Sequence, residues 1–262
     1  MATRRKARGG PVEALSVVAR ICVCVLGLTA LAWGVLLMPY FWRGAALNRV
    51  TAEIVQGHTF ALQTLVQEAR LAASEDASAC DPMRVHDGVI LRLAAFEQAI
   101  AVSDQSYLGS AHDRLDEATR AALACSPADG FAWLTLFWLE VSKHGYQPTY
   151  GSYLRLSYAL APYEGWIALW RSKLALAVLD RLPDDLSVQA LDEFTRLVET
   201  QRLYSESMAI FVGVPRETQV RLAEQLKTAK PIARQTFARM LYDRGSDVTI
   251  PGVDATPSRA WR

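Results

Sequence analysis

Histidine and cysteine, the residues that most often carry chemistry, are few in this chain and form no recognised reactive pattern. The sequence contains no HExxH, no CxxC and no EF-hand loop, so we predict no metal site. It also lacks the GxSxG nucleophile motif and the glycine-rich GxxxxGK(S/T) and GxGxxG loops that bind phosphates. We therefore predict neither a cofactor nor an enzymatic activity. The scattered histidines are His58, His86, His112 and His144.

Aromatic residues are the second candidate for function, because eleven of them fall between residues 131 and 170. Two interpretations remain open. Trp133 and Phe137 are four residues apart and so share a helix face, which is typical of packing in a core or between repeats. Aromatic rings in or near a loop are instead typical of a surface for a partner protein or for sugar rings. The candidate binding residues are Trp138, His144, Tyr146, Tyr150 and Tyr153.

Among these candidates, His144 also has a simpler interpretation. A lone histidine in the loop that closes a helix is typical of a charge partner for the helix C-terminus. Both interpretations of His144 stay open at the level of sequence.

The placement of the cysteines predicts one disulfide. Cys80 precedes a predicted helix and Cys125 ends its predicted antiparallel partner, so both lie at the same end of a helical hairpin. A bond between them would close a loop of about 45 residues and stabilise the fold by roughly 4 kcal/mol in the chain-entropy model. The alternative is a pair of unpaired thiols. Cys22 and Cys24 lie inside an apolar run, where we expect small apolar fillers.

An uncharged run from Ile21 to Trp42 follows a basic head and predicts a membrane-spanning helix. At about 1.5 Å per residue this run reaches roughly 33 Å, enough for a hydrocarbon core of about 30 Å. The alternative is a signal peptide cleaved near Ala30-Leu31-Ala32. Signal h-regions are shorter than this run, and Tyr40-Phe41-Trp42 followed by Arg43 forms an aromatic and basic boundary typical of an uncleaved anchor.

The distribution of charge predicts the orientation of this anchor. The first twenty residues hold five Lys and Arg residues and one acid, Glu13, so we expect them on the cytoplasmic side. In a bacterium the rest of the chain then lies in the periplasm, anchored to the inner membrane. After residue 20 the chain has 23 basic and 26 acidic residues, so it lacks the basic surface that nucleic acid requires.

The rest of the sequence predicts helices throughout, so we expect an all-α fold. Apolar residues recur at helical spacing through the segment that follows the membrane, and prolines and polar breaks separate the later helices. We predict helices over residues 83–102, 108–123, 128–143, 151–160, 165–182, 186–208, 215–227 and 230–243, with Ser126 as a capping residue. The predicted regions are a cytoplasmic basic head over 1–20, a transmembrane helix over 21–42, a helical stalk and linker over 43–79, a helical repeat domain over 80–244 and a flexible tail over 245–262.

Two similar segments give the repeat domain a family resemblance. Pro127-Ala128-Asp129-Gly130 and Pro162-Tyr163-Glu164-Gly165 lie 35 residues apart, close to the period of about 34 residues in a helix-turn-helix repeat. Trp133-Leu134 and Trp166-Ile167 resemble the large residues that open a first helix, and Ser157 to Pro162 resembles a closing second helix. Over residues 84–182 the chain thus resembles the tetratricopeptide family. It lacks the small glycine position after the first-helix tryptophan, so the repeats would be degenerate.

This resemblance implies a non-catalytic adaptor that binds a partner protein through the stacked surface of its repeats. The chain also resembles small helical-repeat membrane proteins that accompany polymerases of surface polysaccharides. That likeness implies a role in polysaccharide polymerisation or export, with glycan as a further ligand. Two alternatives remain open. One is a periplasmic glycan-modifying enzyme that uses carboxylates, and the other is a scaffold for cell division or secretion.

Overall fold

The computed structural model describes the backbone of residues 11–74 and 80–253, and the side chains of 19–38, 47–73 and 80–253. Within these residues the chain is helical and contains no strand, which confirms the predicted all-α class. The basic head, the side chains of Tyr40 to Arg43, the polar break at 75–79 and the residues from 254 onwards lie outside the described part. The chain divides into two compact units, Met1–Glu53 and Ile54–Arg262.

The first helix, α1 (Pro11–Val55), contains a segment that is apolar and long enough to cross a membrane. This segment, Ala19–Met38, has a mean hydropathy of 2.5, and none of its 20 residues is buried. The Thr29 hydroxyl lies within the segment and donates to the backbone carbonyl oxygens of Val25 and Leu26, each at 2.9 Å. A hydroxyl satisfied by its own helix can enter hydrocarbon without leaving an unpaired donor.

The second unit is built from short helices joined by tight connections. Its α2 helix packs against α3, and from α3 onwards consecutive helices form antiparallel pairs: α3 with α4, α5 with α6, and α7 with α8. The first helices of these pairs also touch one another, α3 with α5 and α5 with α7. The bounds are α2 (Leu62–Ser74), α3 (Pro82–Ala101), α4 (Gln105–Cys125), α5 (Gly130–His144), α6 (Gly151–Leu160), α7 (Gly165–Ala177), α8 (Asp184–Glu199), α9 (Tyr204–Gly213), α10 (Arg216–Gln225) and α11 (Pro231–Asp243).

Aspartate side chains cap the N-termini of α3, α4 and α5. The carboxylate of Asp81 accepts from the backbone N–H groups of Met83 and Arg84, and Asp104 caps α4 in the same way. Asp129 caps α5 with two bonds of 3.0 Å, so our prediction of Ser126 as the cap is wrong. The side chain of Asp129 lies directly before the first helical residue, where a capping oxygen can reach the free N–H groups.

A disulfide joins Cys80 to Cys125 across the open end of the α3 and α4 hairpin. Their Cα atoms are 5.4 Å apart, within the range that a disulfide spans without moving the backbone. Cys22 and Cys24, in the apolar segment of α1, are free and exposed.

The start of α5 lies so close to the turn between α6 and α7 that only glycine fits there. A Cβ atom placed on Gly130 would be 2.7 Å from the Cβ of Ala161, which is closer than two non-bonded carbon atoms normally approach. Gly130 is therefore explained by this close packing.

The region predicted as one helix over 186–208 is two helices, α8 and α9, so that prediction is wrong. The break falls at Thr200, whose backbone is extended and whose hydroxyl bonds the carbonyl of Arg196 at 3.0 Å. No proline or glycine marks this position, which is why the pattern of apolar residues did not reveal it. The break turns α9 back so that Phe211 meets Phe194 of α8 and Phe237 of α11 in the core.

The segment after α11 is partly packed, which corrects our prediction of a flexible tail from residue 245. Val248 and Ile250 are only 5% and 2% exposed and belong to the core. Arg216 of α10 forms an ion pair with Asp247 beside them. These two apolar side chains are too few to form a helical pattern, but their burial still holds the segment on the domain.

Candidate functional site

The aromatic residues between 131 and 170 lie on two sides of helix α5. Trp133 and Trp138 are five residues apart, which places them about 140° apart around the helix axis. Trp133 contacts Tyr153 of α6, whereas Trp138 contacts Phe96 of α3 and Trp170 of α7. The cluster seen in the sequence therefore does not form one surface, because most of its rings fall into two groups.

The first group extends across α3, α5 and α7. We call it the first-helix face, because these are the first helices of the three helix pairs. The centroid of the Trp138 ring is 5.4 Å from that of Phe96 and 6.4 Å from that of Trp170. All three side chains are half-buried. The members of the first-helix face are His86, Phe96, Trp138, Trp166 and Trp170.

The buried Phe131 ring connects the two ends of the first-helix face. Its centroid lies 4.8 Å from that of Trp166 and 5.5 Å from that of Trp170, and only 2% of the residue is exposed. His86 packs edge-on against the same phenylalanine at 5.5 Å. The rings thus form one continuous path. Phe131 is its buried support, and the half-buried neighbours of Phe131 remain accessible.

The histidine of this face is held by a carboxylate from the start of α5. His86 Nδ1 is 2.7 Å from Asp129 Oδ2, and the Asp129 side chain is 8% exposed. Burial alone would lower the pKa of His86, but the hydrogen bond and charge of Asp129, with smaller contributions from Asp87 and Glu164, raise it above the usual value. Burial would raise the pKa of Asp129, but His86 and the two capped N–H groups lower it.

These shifts predict that the pair stabilises the domain most in mildly acidic solution. A histidine with a raised folded-state pKa contributes fully below its unfolded value of 6.5, and the contribution is lost as the pH rises through the raised pKa. The contribution of Asp129 to stability is present above pH 3.8, the ordinary pKa of its carboxyl group, and is lost as the pH falls through the lowered folded-state pKa. We therefore expect His86→Gln to destabilise the protein more at about pH 5 than at about pH 8.5.

Chemical denaturation of both proteins at these two pH values measures this effect. His144→Gln is the matched control, because His144 is exposed and lies 4.0 Å from its nearest acidic partner, Glu140. An equal loss for His86→Gln at both pH values would contradict the prediction.

The second group of rings lies on the other side of α5, and we call it the aromatic row: Trp133, Tyr153 and Tyr150. The centroids of Trp133 and Tyr153 are 5.7 Å apart with planes inclined by 20°, and those of Tyr150 and Tyr153 are 6.2 Å apart at 13°. The Trp133 Nε1–H donates to the carbonyl of Pro127 at 2.8 Å, so the indole has no unsatisfied donor. All three side chains are half-buried.

Charged side chains of α4 and α5 border the aromatic row. Glu140 Oε1 accepts from Arg120 Nη2 at 2.7 Å, and Asp116 also binds this arginine through two bonds of 3.0 and 3.1 Å to Nε. Burial, together with the charge and hydrogen bond of Glu140, raises the pKa of Tyr150. His144 follows Glu140 by one helical turn and lies at this end of the row.

Tyr146 is separate from the aromatic row. Its hydroxyl is buried without a hydrogen-bond partner, its ring is 6.5 Å from that of Phe137, and Arg181 lies 5.9 Å from the ring centroid. Burial raises the pKa of Tyr146. The five candidates from the sequence therefore do not converge: Tyr150 and Tyr153 share the row, His144 lies at its edge, Trp138 belongs to the first-helix face, and Tyr146 packs inward.

A buried ion pair between α7 and α8 was not predicted from the sequence. Arg171 is 0% exposed and Glu193 is 2% exposed. The Arg171 Nε–H donates to the two carboxylate oxygens of Glu193 at 3.1 and 3.0 Å, and Nη2 also donates to this carboxylate. Only the amphipathic pattern of α8 could have hinted at it, because an acid at position 193 interrupts the apolar face.

The remaining donors of Arg171 bind the second helix of the preceding hairpin. Nη1 donates to the carbonyl and hydroxyl oxygens of Ser157 at 2.8 and 3.0 Å, and Nη2 donates to the carbonyl of Ala161 at 3.1 Å. The guanidinium carbon lies 4.4 Å from the ring centroid of Tyr158. This satisfied network ties α6, α7 and α8 together, so we assign it a structural role.

No metal site emerges from the described residues, where no three or more His, Cys, Asp and Glu side chains come together. The two aromatic surfaces are the candidate sites. Comparisons with protein-family models, with curated proteins and with solved structures found no match to this chain.

Proposed function

We propose that this chain is a membrane-anchored adaptor that binds a partner protein through the first-helix face, in the polymerisation or export of a surface polysaccharide. In this proposal α1 anchors the chain in a bacterial inner membrane and the second unit lies in the periplasm. The main observation that supports this proposal is the continuous path of half-buried rings across α3, α5 and α7.

The composition of this face supports a protein ligand. Tryptophan is enriched among the residues that dominate binding energy in protein interfaces, where a large ring fills a pocket of the partner. Trp138, Trp166 and Trp170 each keep part of their surface accessible, although their other contacts fix the rings in place. A rigid, partly exposed ring loses little conformational entropy when a partner covers it.

The arrangement of helices supports the tetratricopeptide-like part of the proposal. Successive hairpins bring their first helices α3, α5 and α7 into contact with one another, and α6 also contacts α8. Stacked hairpins of this kind present an extended surface to a ligand. The resemblance over residues 84–182 therefore fits the order in which these helices pack.

Three further observations support the location. The apolar segment of α1 is exposed throughout, so a lipid bilayer would remove a large hydrocarbon surface from water. The disulfide between Cys80 and Cys125 supports an oxidising compartment such as the periplasm. The basic head before the span supports a cytoplasmic N-terminus.

Site-specific photo-crosslinking of the full chain in living cells tests this proposal. A photoreactive amino acid is placed at Glu97 of α3 or Lys173 of α7, which are exposed and near enough to interact electrostatically. We expect both positions to crosslink to a protein of polysaccharide polymerisation or export. The matched control is Val212 of α9, which is 57% exposed and lies outside the first-helix face.

Different partners would overturn different parts of the proposal. Crosslinks to division or secretion proteins, with no polymerase or export protein, would favour the scaffold alternative. Equal crosslinking from Val212 would exclude the first-helix face as the specific surface. A reporter fused after Arg262 checks the topology, and a cytoplasmic signal would contradict the periplasmic location.

A further inference from the structure

The rings of the aromatic row are closer to parallel than those of the phenylalanine cluster in the core. There, the ring planes of Phe194 and Phe237 meet at 80°, those of Phe211 and Phe237 at 77°, and those of Phe194 and Phe211 at 34°. Tyr153 instead lies within 20° of parallel to both Trp133 and Tyr150. Edge-to-face contacts fill a core in three dimensions, whereas near-parallel rings can form a flat surface.

The spacing of these rings leaves part of each face open. Centroid distances of 5.7 and 6.2 Å are too long for rings stacked directly face to face, so neighbouring rings are displaced sideways. Each of the three side chains is only half-buried. The row is therefore a stepped apolar strip that is open to solvent along the seam of α5 and α6.

The border of the strip is polar and contains two carboxylates and one guanidinium. Arg120 is held between the carboxylates of Asp116 and Glu140, so its positive charge is neutralised. A carboxylate has about four acceptor positions, and Glu140 accepts from Arg120 and from the Tyr150 hydroxyl, so it keeps capacity for a further hydroxyl donor. The two carboxylates disfavour a phosphate or another anion at this place.

We infer that the aromatic row is a binding site for a neutral carbohydrate chain built of pyranose rings. A pyranose ring has a flat face of C–H groups that packs on an aromatic ring, and a rim of hydroxyl groups that requires hydrogen-bond partners. Trp133, Tyr153 and Tyr150 offer the flat apolar contacts, while Glu140 and the Tyr150 hydroxyl lie where the rim would fall. This inference goes beyond the proposed function, because it assigns a second ligand to a different surface: Trp133 and Trp138 lie about 140° apart around the axis of α5.

Saturation-transfer NMR on the full-length protein tests the inference directly. The protein is placed in lipid nanodiscs, because common detergents with sugar head groups would occupy the same site. The probes are short linear oligosaccharides of glucose and of N-acetylglucosamine. We expect magnetisation to pass to the C–H protons of at least one probe, and Tyr153→Ala to weaken its binding about tenfold or more.

Three further variants separate ring stacking from general damage. Tyr153→Phe keeps the ring and is expected to bind like the original protein. Tyr242→Ala removes an exposed ring of α11 that belongs to neither aromatic group, and it is expected to leave sugar binding unchanged. If Tyr153→Ala does not fold, Tyr150→Ala at the end of the row replaces it, and circular dichroism verifies the helical content of each variant.

Several results would overturn the inference. These are no transfer to any probe, unchanged binding by the folded Tyr153→Ala or Tyr150→Ala variant, and an equal loss in Tyr242→Ala. None of these results bears on crosslinking from Glu97 and Lys173, which tests the adaptor proposal. Failure of this inference is therefore distinguishable from failure of the adaptor proposal.

Discussion

Replacement of Glu193 by alanine is expected to lower the free energy of unfolding by about 3–5 kcal/mol, the range for breaking one side of a buried ion pair. The change leaves the guanidinium of Arg171 without its counter-charge at a position that is 0% exposed. A charge cannot stay in such an environment without a partner, so the helices around it must open or admit water. Domains of this size are stable by only about 5–15 kcal/mol, so the loss is a large share.

Urea denaturation of the full-length protein, followed by circular dichroism, measures this loss. The double variant Arg171→Met with Glu193→Leu should lose much less than Glu193→Ala, because it removes both charges and keeps apolar volume. Asp185→Ala is the matched control, since Arg155 and Asp185 form an ion pair that is 46% and 55% exposed. We expect Asp185→Ala to lower the free energy of unfolding by about 0–1 kcal/mol. An equally small loss for Glu193→Ala would refute the structural role of the buried pair.

The second large effect concerns the disulfide. Replacing Cys80 and Cys125 together by serine is expected to lower the free energy of unfolding by about 2–4 kcal/mol. The bond closes a loop with a sequence separation of 45 residues, which restricts the unfolded chain. It also holds the end of the hairpin at which His86 meets Asp129. Its loss should therefore act on α3 and α4 first.

The same denaturation assay checks this prediction with a reductant as a second route. Reducing the original protein should reproduce the loss, and adding reductant to the double serine variant should change nothing. Replacing Cys22 and Cys24 by serine is the control, because these cysteines are free. Equal stability of the reduced and oxidised protein would contradict the prediction, and thiol labelling of Cys80 in intact cells would show that the bond does not form there.

Most helix positions were predictable because the signals that define them are local. Apolar residues at helical spacing, with prolines and polar breaks between them, mark helices that the structure also contains. The failures share one cause. Thr200 breaks a helix without glycine or proline, and Val248 and Ile250 join the core without periodicity, because contacts with distant helices decide both.

The candidate site was predictable in composition but not in arrangement. The concentration of rings between residues 131 and 170 is visible in the sequence, and so are Tyr150 and Tyr153 as members of one group. The sequence did not indicate that Trp133 completes the aromatic row, nor that Trp138 faces α3 and α7. Both sides of α5 are rich in aromatic residues, so a single-helix pattern cannot assign each ring to a surface.

The sequence by itself determined that this chain is helical, that one segment is long and apolar enough to cross a membrane, and where most helices begin. These properties depend on neighbours within a few turns, where spacing along the chain equals spacing in space. Only the tertiary structure decided that His86 meets Asp129 across 43 residues and that Arg171 meets Glu193 across 22. Such pairs depend on how whole helices pack, because the position of one helix face against another is set by the combined shapes of many side chains.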